Sequence, residues 1–262
     1  MAAVETVLEQ ARADRRPSLV TYVTGGIRPG WPDLLTAMAQ AGADAIEIGL
    51  PFSDPMLDGP VIQQASATAL AAGATVDRIL DQISRLDRNG VPLIAMTYAN
   101  HAYRRGLPRF CQDLAAAGFS GVIIPDIPDS ESRDYLAAAS DAKLDATLMV
   151  SPVTSVRHVR AVARRTRGFL YLMSVMDTTG SSSEASDDSR WAMAARARPL
   201  SPRPALIGFG IDTPARAAAA ARHADGVIVA SALMARVLRG ATPAQIGTQV
   251  TALRAALDAA SG

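Results

Sequence analysis

The sequence A-I-E-I-G-L-P-F-S-D-P-M-L-D-G-P-V-I-Q-Q occupies residues 45–64 and guides the interpretation of the whole chain. It begins with a short apolar run, residues 45–48, whose length and composition are typical of a buried strand. The run ends at Gly49. Proline and glycine residues then mark a loop: Pro51, Pro55, Gly59 and Pro60.

Three carboxylates lie in this strand and loop. Glu47 is inside the strand, where an ionised carboxylate is costly unless it is paired. One interpretation is that Glu47 and the acidic loop face a pocket as a carboxylate pair. The other is that an arginine neutralises a buried Glu47, while Asp54 and Asp58 form Asx turns. On the chemistry alone both interpretations stay open for Glu47, and the turn interpretation is favoured for the two aspartates.

Length and composition exclude several classes of protein. A chain of 262 residues suits one (β/α)₈ barrel or two small domains, and 49% hydrophobic residues allow a large core. The net charge of +1, without a basic cluster, gives no indication of binding to nucleic acid or to an anionic membrane.

Targeting signals and cysteine usage lead to an expected location. No apolar run approaches the ~18–20 residues of a transmembrane helix. The first residues lack a basic region and a cleavage site, so we expect no secretory signal. Cys111 is the only cysteine, which excludes an internal disulfide and fits the cytoplasm.

Short apolar runs alternate with helical patterns along the chain. The runs predict eight strands: residues 19–23, 45–48, 92–96, 121–124, 146–150, 169–173, 205–207 and 226–229. Helices are predicted at residues 3–12, 32–41, 76–86, 107–117, 130–139, 155–165 and 213–222, the last capped by Thr213, and between residues 232 and 259.

The strand pattern predicts the fold class. Continuously apolar strands indicate a parallel sheet that is buried on both faces. Eight such units in about 250 residues predict a closed TIM barrel preceded by a short extra helix. The alternative is an open doubly wound sheet, but no glycine-rich dinucleotide fingerprint follows the first strand.

The chain shows no domain boundary, so residues 1–262 are predicted to form one domain. The one low-complexity stretch, residues 181–188, lies between the sixth strand and its helix. A linker there would leave an incomplete barrel on either side. We therefore expect residues 174–190 to form a mobile lid loop.

The loops after strands seven and eight have the composition of a phosphate site. In TIM barrels these loops, with a helix N-terminus, form the usual phosphate site. Gly208-Phe209-Gly210 precedes one predicted helix, and Ser231 opens another. Glycines let backbone N–H groups approach phosphate oxygens, and the helix end favours an anion. Ordinary turn glycines are the alternative.

The stretch G-x-P-F-S-D-P-x-x-D-G-P-x-I-Q resembles the signature of the tryptophan synthase α subunit family, which cleaves indole-3-glycerol phosphate. Further similar motifs follow in the order of that family: Y-A-N at 98–100, P-D-I-P at 125–128, Y-L-x-S at 171–174, T-G at 179–180, G-F-G-I at 208–211 and D-G-V-I-V-x-S-A at 225–232. The resemblance therefore covers nearly the whole chain.

The resemblance implies roles for individual residues. Glu47 and Asp58 would be the catalytic pair. The residues implied to bind substrate are Tyr22, Met96, Tyr98, Tyr171, Thr179 and Phe209. Those implied to hold the phosphate are Gly180, Gly210, Ala230 and Ser231. It also implies a partner β subunit in an α2β2 heterotetramer, docked near Pro51 and Asp54, and no cofactor or metal.

Some positions depart from the family pattern. Ala230 stands where a phosphate-loop glycine is usual, and Leu57 stands where a small residue is common. Asp177 replaces a lid glycine and adds negative charge. These changes leave the catalytic pair intact, but they bear on lid closure and phosphate affinity.

Residue types also limit the chemistry. The only lysine, Lys143, precedes the fifth strand, at the wrong end of a barrel for a Schiff base. Of the three histidines only His101 is predicted in a top-face loop, as a solvated residue, whereas His158 and His223 are predicted on outer helices. Acid–base catalysis by carboxylates remains. We expect burial to raise the pKa of Glu47. We expect Asp58, in its loop, to stay ionised.

Three alternatives to a synthase subunit stay open. The chain could be a free-standing indole-3-glycerol phosphate lyase, or a non-catalytic paralogue that activates a β subunit. It could also be a different phosphate-sugar enzyme on the same barrel. The intact Glu47 and Asp58 argue against the non-catalytic paralogue.

Overall fold

The computed structural model describes residues 3–86, 90–173 and 187–260, with only the backbone for residues 187–190. Within those ranges it contains eight strands. They are β1 (Ser18–Thr24), β2 (Ala45–Gly49), β3 (Leu93–Met96), β4 (Gly121–Ile123), β5 (Asp145–Val150), β6 (Leu170–Leu172), β7 (Ala205–Ile207) and β8 (Gly226–Val229). Every predicted strand is confirmed, with ends that differ by at most one residue.

Helices alternate with these strands. Those described are α1 (Val4–Ala13), α2 (Pro32–Gln40), α3 (Pro60–Ala71), α4 (Val76–Ser84), α5 (Ala99–Arg105), α6 (Leu107–Ala117), α7 (Arg133–Asp141), α8 (Val156–Arg165), α9 (Asp187–Ala197), α10 (Pro214–Ala221), α11 (Ser231–Leu238) and α12 (Pro243–Ala259). Short 3₁₀ turns precede α7, at Asp129–Glu131, and β7, at Arg198–Leu200. Thr213 caps α10 as predicted, because its side chain accepts a hydrogen bond from the Arg216 N–H.

The strands form a closed parallel barrel in chain order, with β1 paired to both β2 and β8. The predicted TIM barrel is therefore confirmed. The register places Tyr22 of β1 beside Glu47 of β2, and Glu47 beside Ile94 of β3. Because side chains alternate along a strand, these neighbours share one face of the sheet.

The core has two layers. The larger one lies between the sheet and the surrounding helices, whose apolar stripes face inward, as Ile79 and Ile83 of α4 do. The smaller one fills the barrel interior. Val4 and Leu8 of α1 belong to the interior cluster, and the Glu5 N–H donates to Asp145 Oδ2 at 2.9 Å. The predicted leading helix therefore closes the N-terminal end of the barrel.

Two helices were not predicted from the sequence. The α3 helix is rich in alanine and carries few large apolar residues, so its pattern was weak. The α5 helix begins in the Y-A-N motif, where the sequence predicts a loop after the third strand. Its first N–H, at Ala99, donates to Asp126 Oδ1 at 2.8 Å, so the capping group comes from a loop 27 residues away.

The lysine, the cysteine and two of the histidines lie away from the C-terminal ends of the strands. Lys143 is exposed just before β5, as predicted, and Cys111 is buried in α6. His158 is on α8, whereas His223 lies in the turn after α10. None of the helices in the described ranges combines the length and apolar character that crossing a membrane requires.

The predicted lid loop falls mostly outside the described residues. Positions 174–186, which include Asp177, Thr179 and Gly180, are not described. The helix α9 begins at Asp187, so the last four residues assigned to the loop are helical.

Candidate active site

Glu47 is the most deeply buried acid at the C-terminal end of the barrel. It lies on β2 with only 1% of its surface exposed, in a strand whose five residues are all buried. Its Oε2 atom has no hydrogen-bond partner, and no ion pair to it exists among the described residues. The alternative of an arginine-neutralised glutamate is therefore wrong for this part of the chain.

This environment changes the protonation of Glu47. Burial, followed by repulsion from Asp58, raises the pKa of Glu47 from 4.5 to about 8. The cause is that an ionised carboxylate loses its hydration inside the barrel and gains no compensating donor. At neutral pH the Glu47 side chain therefore carries a proton, which it can donate.

Asp58 follows β2 in the loop that leads to α3. Its backbone N–H donates to the Pro55 carbonyl at 3.0 Å, which makes a main-chain turn rather than the predicted Asx turn. Burial raises the pKa of Asp58 to about 6, and a hydrogen bond from the Tyr98 hydroxyl opposes that rise. At neutral pH Asp58 therefore remains largely ionised, which is the state expected from the sequence, although burial raises its pKa.

Asp54 behaves as the turn residue that the sequence suggested. Its side chain is exposed and accepts a hydrogen bond from Ser53 Oγ at 2.9 Å. The structure records no contact between Asp54 and either Glu47 or Asp58. Asp54 is therefore exposed and lies away from Glu47, whereas Asp58 interacts with it, although both aspartates belong to the same short loop.

Three tyrosines surround the two acids. Tyr22, Tyr98 and Tyr171 are each less than 5% exposed. Burial raises the pKa of all three hydroxyls above their ordinary value, and the charge of Asp58 adds to the effect at each. The hydroxyls are therefore neutral donors, and the shared influence of Asp58 means that the five side chains lie in one cluster.

Two glycines make room for Tyr22 and Tyr171 beside the neighbouring strand. A Cβ atom at Gly49 would overlap the Tyr22 hydroxyl, and one at Gly208 would overlap the Tyr171 ring. The Tyr171 hydroxyl instead donates to the Gly208 carbonyl at 3.3 Å. Glycine is required at both positions because an aromatic ring occupies the space of its side chain.

The remaining residues implied to bind substrate lie at the same end. Met96 ends β3, is half-buried and packs on the interior cluster. Phe209 packs edge-on against Tyr171, with ring centroids 6.0 Å apart. Both are therefore adjacent to the tyrosine cluster. Thr179 lies outside the described residues.

The predicted phosphate loops are adjacent because β7 and β8 pair along their length. Gly210 is exposed and has a φ of 76°, a conformation that glycine adopts without strain. Ser231 is the exposed first residue of α11, and Ala230 directly precedes it. Free backbone N–H groups at the α11 N-terminus suit an anion. Gly180 lies outside the described residues.

Sequence reasoning missed two aromatic residues beside the site. Phe52 stacks on Tyr98, with ring centroids 5.1 Å apart, and His101 packs edge-on against Phe52 at 5.2 Å. The prediction that His101 is a solvated loop residue is wrong, because it lies in α5 and is half-buried. Phe52 is part of the quoted signature and was the available signal; His101 had none.

No group of three or more His, Cys, Asp or Glu side chains in the described ranges has the arrangement to hold a metal ion.

Comparisons with known proteins give a consistent result. The family model described as "Tryptophan synthase alpha chain" matches residues 8–260. The tryptophan synthase alpha chain of Geobacter sulfurreducens is 39% identical, covering 100% of this chain and 100% of the relative. That of Dehalococcoides mccartyi is 37% identical over 93% of this chain and 96% of its own.

Solved structures agree with the sequence relatives. Tryptophan synthase from Mycobacterium tuberculosis in space group F222 aligns with a TM-score of 0.88 and 33% identity, covering 98% of this chain and 99% of that one. Tryptophan synthase subunit alpha from Legionella pneumophila has a TM-score of 0.88 and 31% identity, with 99% of each chain covered. On this evidence the chain belongs to the tryptophan synthase alpha chain family.

Proposed function

We propose that Glu47 and Asp58 are the acid–base pair with which this chain cleaves indole-3-glycerol phosphate to indole and glyceraldehyde 3-phosphate. The chain is a carbon–carbon lyase of tryptophan biosynthesis, as its family membership indicates. The observation that carries the residue assignment is the burial of Glu47 without a hydrogen-bond partner for Oε2, near enough to Asp58 for the charge of Asp58 to raise its pKa. Two carboxyl groups held in different protonation states can act as acid and as base or anion.

The reaction divides between the two acids as follows. Protonated Glu47 donates its proton to C3 of the indole ring, which places positive charge on N1. The Asp58 carboxylate accepts a hydrogen bond from N1–H and stabilises that charge. The resulting Glu47 carboxylate takes the proton of the side-chain hydroxyl, the C–C bond breaks, and its electron pair returns to the ring. Glu47 ends protonated, so no proton is consumed.

Aromatic residues around the two acids would bind the indole. Tyr22 and Tyr171 are buried beside the acids, and Met96 and Phe209 complete an apolar wall. The proposal assigns substrate contacts to these four residues and to Tyr98. An apolar pocket with a few polar groups is the usual form of a small-molecule site.

The phosphate is assigned to Gly210, Ala230 and Ser231. Gly210→Ala should weaken the binding of phosphorylated ligands and leave the binding of free indole unchanged, because a side chain would strain the backbone at positive φ. Gly240→Ala is the matched control, since Gly240 also has positive φ, at 87°, and follows α11 at the other end of the barrel. Equal loss of both ligands in the Gly210 variant would show that the phosphate lies elsewhere.

We also propose a β subunit as partner at the C-terminal face. Met56 and Leu57, in the loop after β2, are 70% and 39% exposed, and Tyr103 on α5 is 55% exposed. Exposed large apolar residues suit a protein interface. The proposed contact near Pro51 and Asp54 is kept, with the difference that Asp54 is exposed and Pro51 is buried in this chain.

The proposal includes a cytoplasmic location, which suits a biosynthetic lyase whose one cysteine, Cys111, is buried as a thiol.

Indole release by the pure chain tests the proposed function. The substrate is indole-3-glycerol phosphate, supplied with increasing concentrations of a β subunit. A slow rate that rises with the β subunit supports a synthase subunit. A fast rate that does not change indicates a free-standing lyase. No cleavage under either condition contradicts the assignment.

Variants in the acidic loop test the role of Asp58. Asp58→Asn should abolish most of the activity, because it removes the negative charge opposite N1. Asp54→Asn is the matched control, since Asp54 lies four residues away with an exposed side chain. Equal activity in the two variants would contradict the role of Asp58.

A further inference from the structure

A chain of contacts connects α5 to the acidic loop. Thr97 Oγ1 and His101 Nδ1 are hydrogen-bonded at 3.0 Å, and Thr97 is only 1% exposed. The His101 ring meets Phe52 edge-on, with an interplanar angle of 82°. Phe52 in turn stacks on Tyr98, with an interplanar angle of 21°. Aromatic pairs in both arrangements are attractive and restrict the orientation of each ring.

The far end of this chain is the proposed catalytic carboxylate. The Tyr98 hydroxyl accepts a hydrogen bond from the Leu57 N–H at 3.1 Å. Asp58 is the next residue along the loop, and the Tyr98 hydroxyl lowers the pKa of its carboxyl. A hydroxyl that accepts from the Leu57 N–H still has a proton to direct at a neighbouring carboxylate. The position of the Tyr98 ring therefore sets how closely its hydroxyl approaches Asp58.

We propose that His101, held by Thr97, is a positioning residue that keeps the Tyr98 hydroxyl against Asp58 by fixing the Phe52–Tyr98 stack. The inference rests on the proposed role of Asp58, which it deepens. His101 has no recorded contact with either acid, so it acts only through the two rings.

The protonation state of His101 suits this structural role. Burial lowers the pKa of His101, the positive charges of Arg104 and Arg105 lower it further, and Asp126 opposes them. The imidazole is therefore neutral at physiological pH, with one nitrogen that donates and one that accepts. A neutral ring packs against Phe52 without the cost of burying a charge.

Among the described residues, the charge of Asp58 raises the pKa of four neighbours: Glu47 of β2, Tyr98 before α5, Tyr22 of β1 and Tyr171 of β6. Of these, Tyr98 is the one that lowers the pKa of Asp58 in turn. Loss of that interaction should therefore move the Asp58 titration to higher pH.

The first experiment measures the Asp58 carboxyl titration by carbon-13 NMR in the full-length protein. His101→Ala should raise the Asp58 pKa by on the order of half a unit, because one hydrogen bond to the charged form is weakened. Tyr98→Phe should give a shift at least as large, and the double variant should show no further shift. His223→Ala is the control, because that histidine lies in the turn after α10, and should leave the titration unchanged.

Thr97 variants provide a second test that leaves His101 intact. Thr97→Val removes the hydroxyl at nearly constant shape and should reproduce the direction of the His101→Ala shift. Thr97→Ser retains the hydroxyl and should restore the wild-type titration. If His101→Ala fails to fold, these two Thr97 variants still test whether His101 positions Tyr98 against Asp58.

Activity gives an independent measurement. In the His101→Ala variant kcat/KM should fall roughly tenfold from misplacement of Asp58, and the acidic limb of its pH profile should move up with the NMR titration. An unchanged Asp58 titration in both His101→Ala and Thr97→Val, with the Tyr98→Phe shift present, would overturn the inference. The NMR result does not depend on substrate cleavage, so failure of the proposed function is seen separately, as absence of indole from the wild-type protein.

Discussion

The two ends of the barrel hold buried carboxylates in opposite environments. Asp225 lies just before β8 at the N-terminal end, with a side chain only 2% exposed. It accepts hydrogen bonds from Arg198 Nε and from the Ala205 N–H, both at 2.9 Å, and Arg12 approaches to 3.9 Å. Its buried charge is therefore neutralised and hydrogen-bonded.

Asp44, just before β2, repeats this arrangement. Its carboxylate pairs with Arg16 and with Arg254 of α12, and accepts the Leu19 N–H at 2.8 Å. Three separate parts of the chain are joined by this one side chain. A buried ion pair with satisfied hydrogen bonds specifies which elements meet.

Glu47 lies only three residues beyond Asp44, at the centre of β2, and receives none of these partners. The difference shows that the fold neutralises Asp44 and Asp225 with arginines and leaves Glu47 without such a partner among the described residues. In TIM barrels the N-terminal end serves stability and the C-terminal end serves function. An unpaired Glu47 costs stability when it ionises, and its raised pKa is what suits it to proton transfer.

The largest effect is expected at the unpaired acid. Glu47→Gln should lower indole release by ~10²–10⁴, the usual contribution of a general acid–base group. The fold should be retained, because an amide matches the neutral carboxyl in shape. Steady-state rates and thermal unfolding at pH 7 check this. Normal turnover at unchanged stability would reject Glu47 as the proton donor.

The pH dependence of stability should come next in size. The pKa of Glu47 is 4.5 ordinarily and about 8 in the folded protein. Between these values the folded protein holds a proton that the unfolded chain has lost, so the free energy of unfolding falls as the pH rises through this window. Glu47→Gln removes that loss, and its stability should exceed wild type by a few kcal/mol at pH 9.

Urea unfolding of both proteins at pH 4.5, 7 and 9 measures this difference. The wild type and the Glu47→Gln variant should differ least at pH 4.5 and most at pH 9. Parallel stability curves would mean that the pKa of Glu47 is the same in the folded and the unfolded protein.

The paired acid should show the reverse behaviour. Asp44→Asn should cost about 2 kcal/mol of unfolding free energy, because Arg16 and the largely buried Arg254 lose their anionic partner. The turnover of the folded variant should be unchanged, since Asp44 lies at the N-terminal end. A drop in kcat without a drop in stability would contradict the division between the two ends.

The smallest effect is expected at an exposed pair on α12. Asp258 is 52% exposed and pairs with Arg254 one helical turn earlier. Asp258→Asn should change the unfolding free energy by about 0.5 kcal/mol or less, because solvent screens an exposed pair. Comparison with Asp44→Asn in the same urea experiment separates the contributions of the two Arg254 partners. Equal losses would show that burial does not distinguish them.

The strands were predictable because each one is a continuous apolar run. The predicted bounds of β7 and β8 match the observed ones at both ends. Helices with a strong apolar stripe, such as α6, were predicted to the residue. The α5 helix was not, because its capping group is Asp126, which only the closed barrel brings to Ala99.

Some functional residues were likewise predictable from local sequence, and others were not. Glu47 and Asp58 were identified through a long signature, in which rigid proline and glycine positions surround both acids. Their protonation was only partly predictable, because Tyr98, whose hydroxyl lowers the pKa of Asp58, lies 40 residues further along the chain, between β3 and α5. His101 was assigned to solvent, because nothing in its neighbours along the chain indicates the contact with Phe52.

The sequence by itself determined the order of strands, the closed barrel and the position of Glu47 inside β2, because each follows from local apolar runs and from parallel pairing. Only the tertiary structure decided that Asp44 is paired and Glu47 is not, because the arginines concerned lie 28 and 210 residues from Asp44. A pKa depends on the groups that folding brings within a few ångströms, and those groups are distant along the chain.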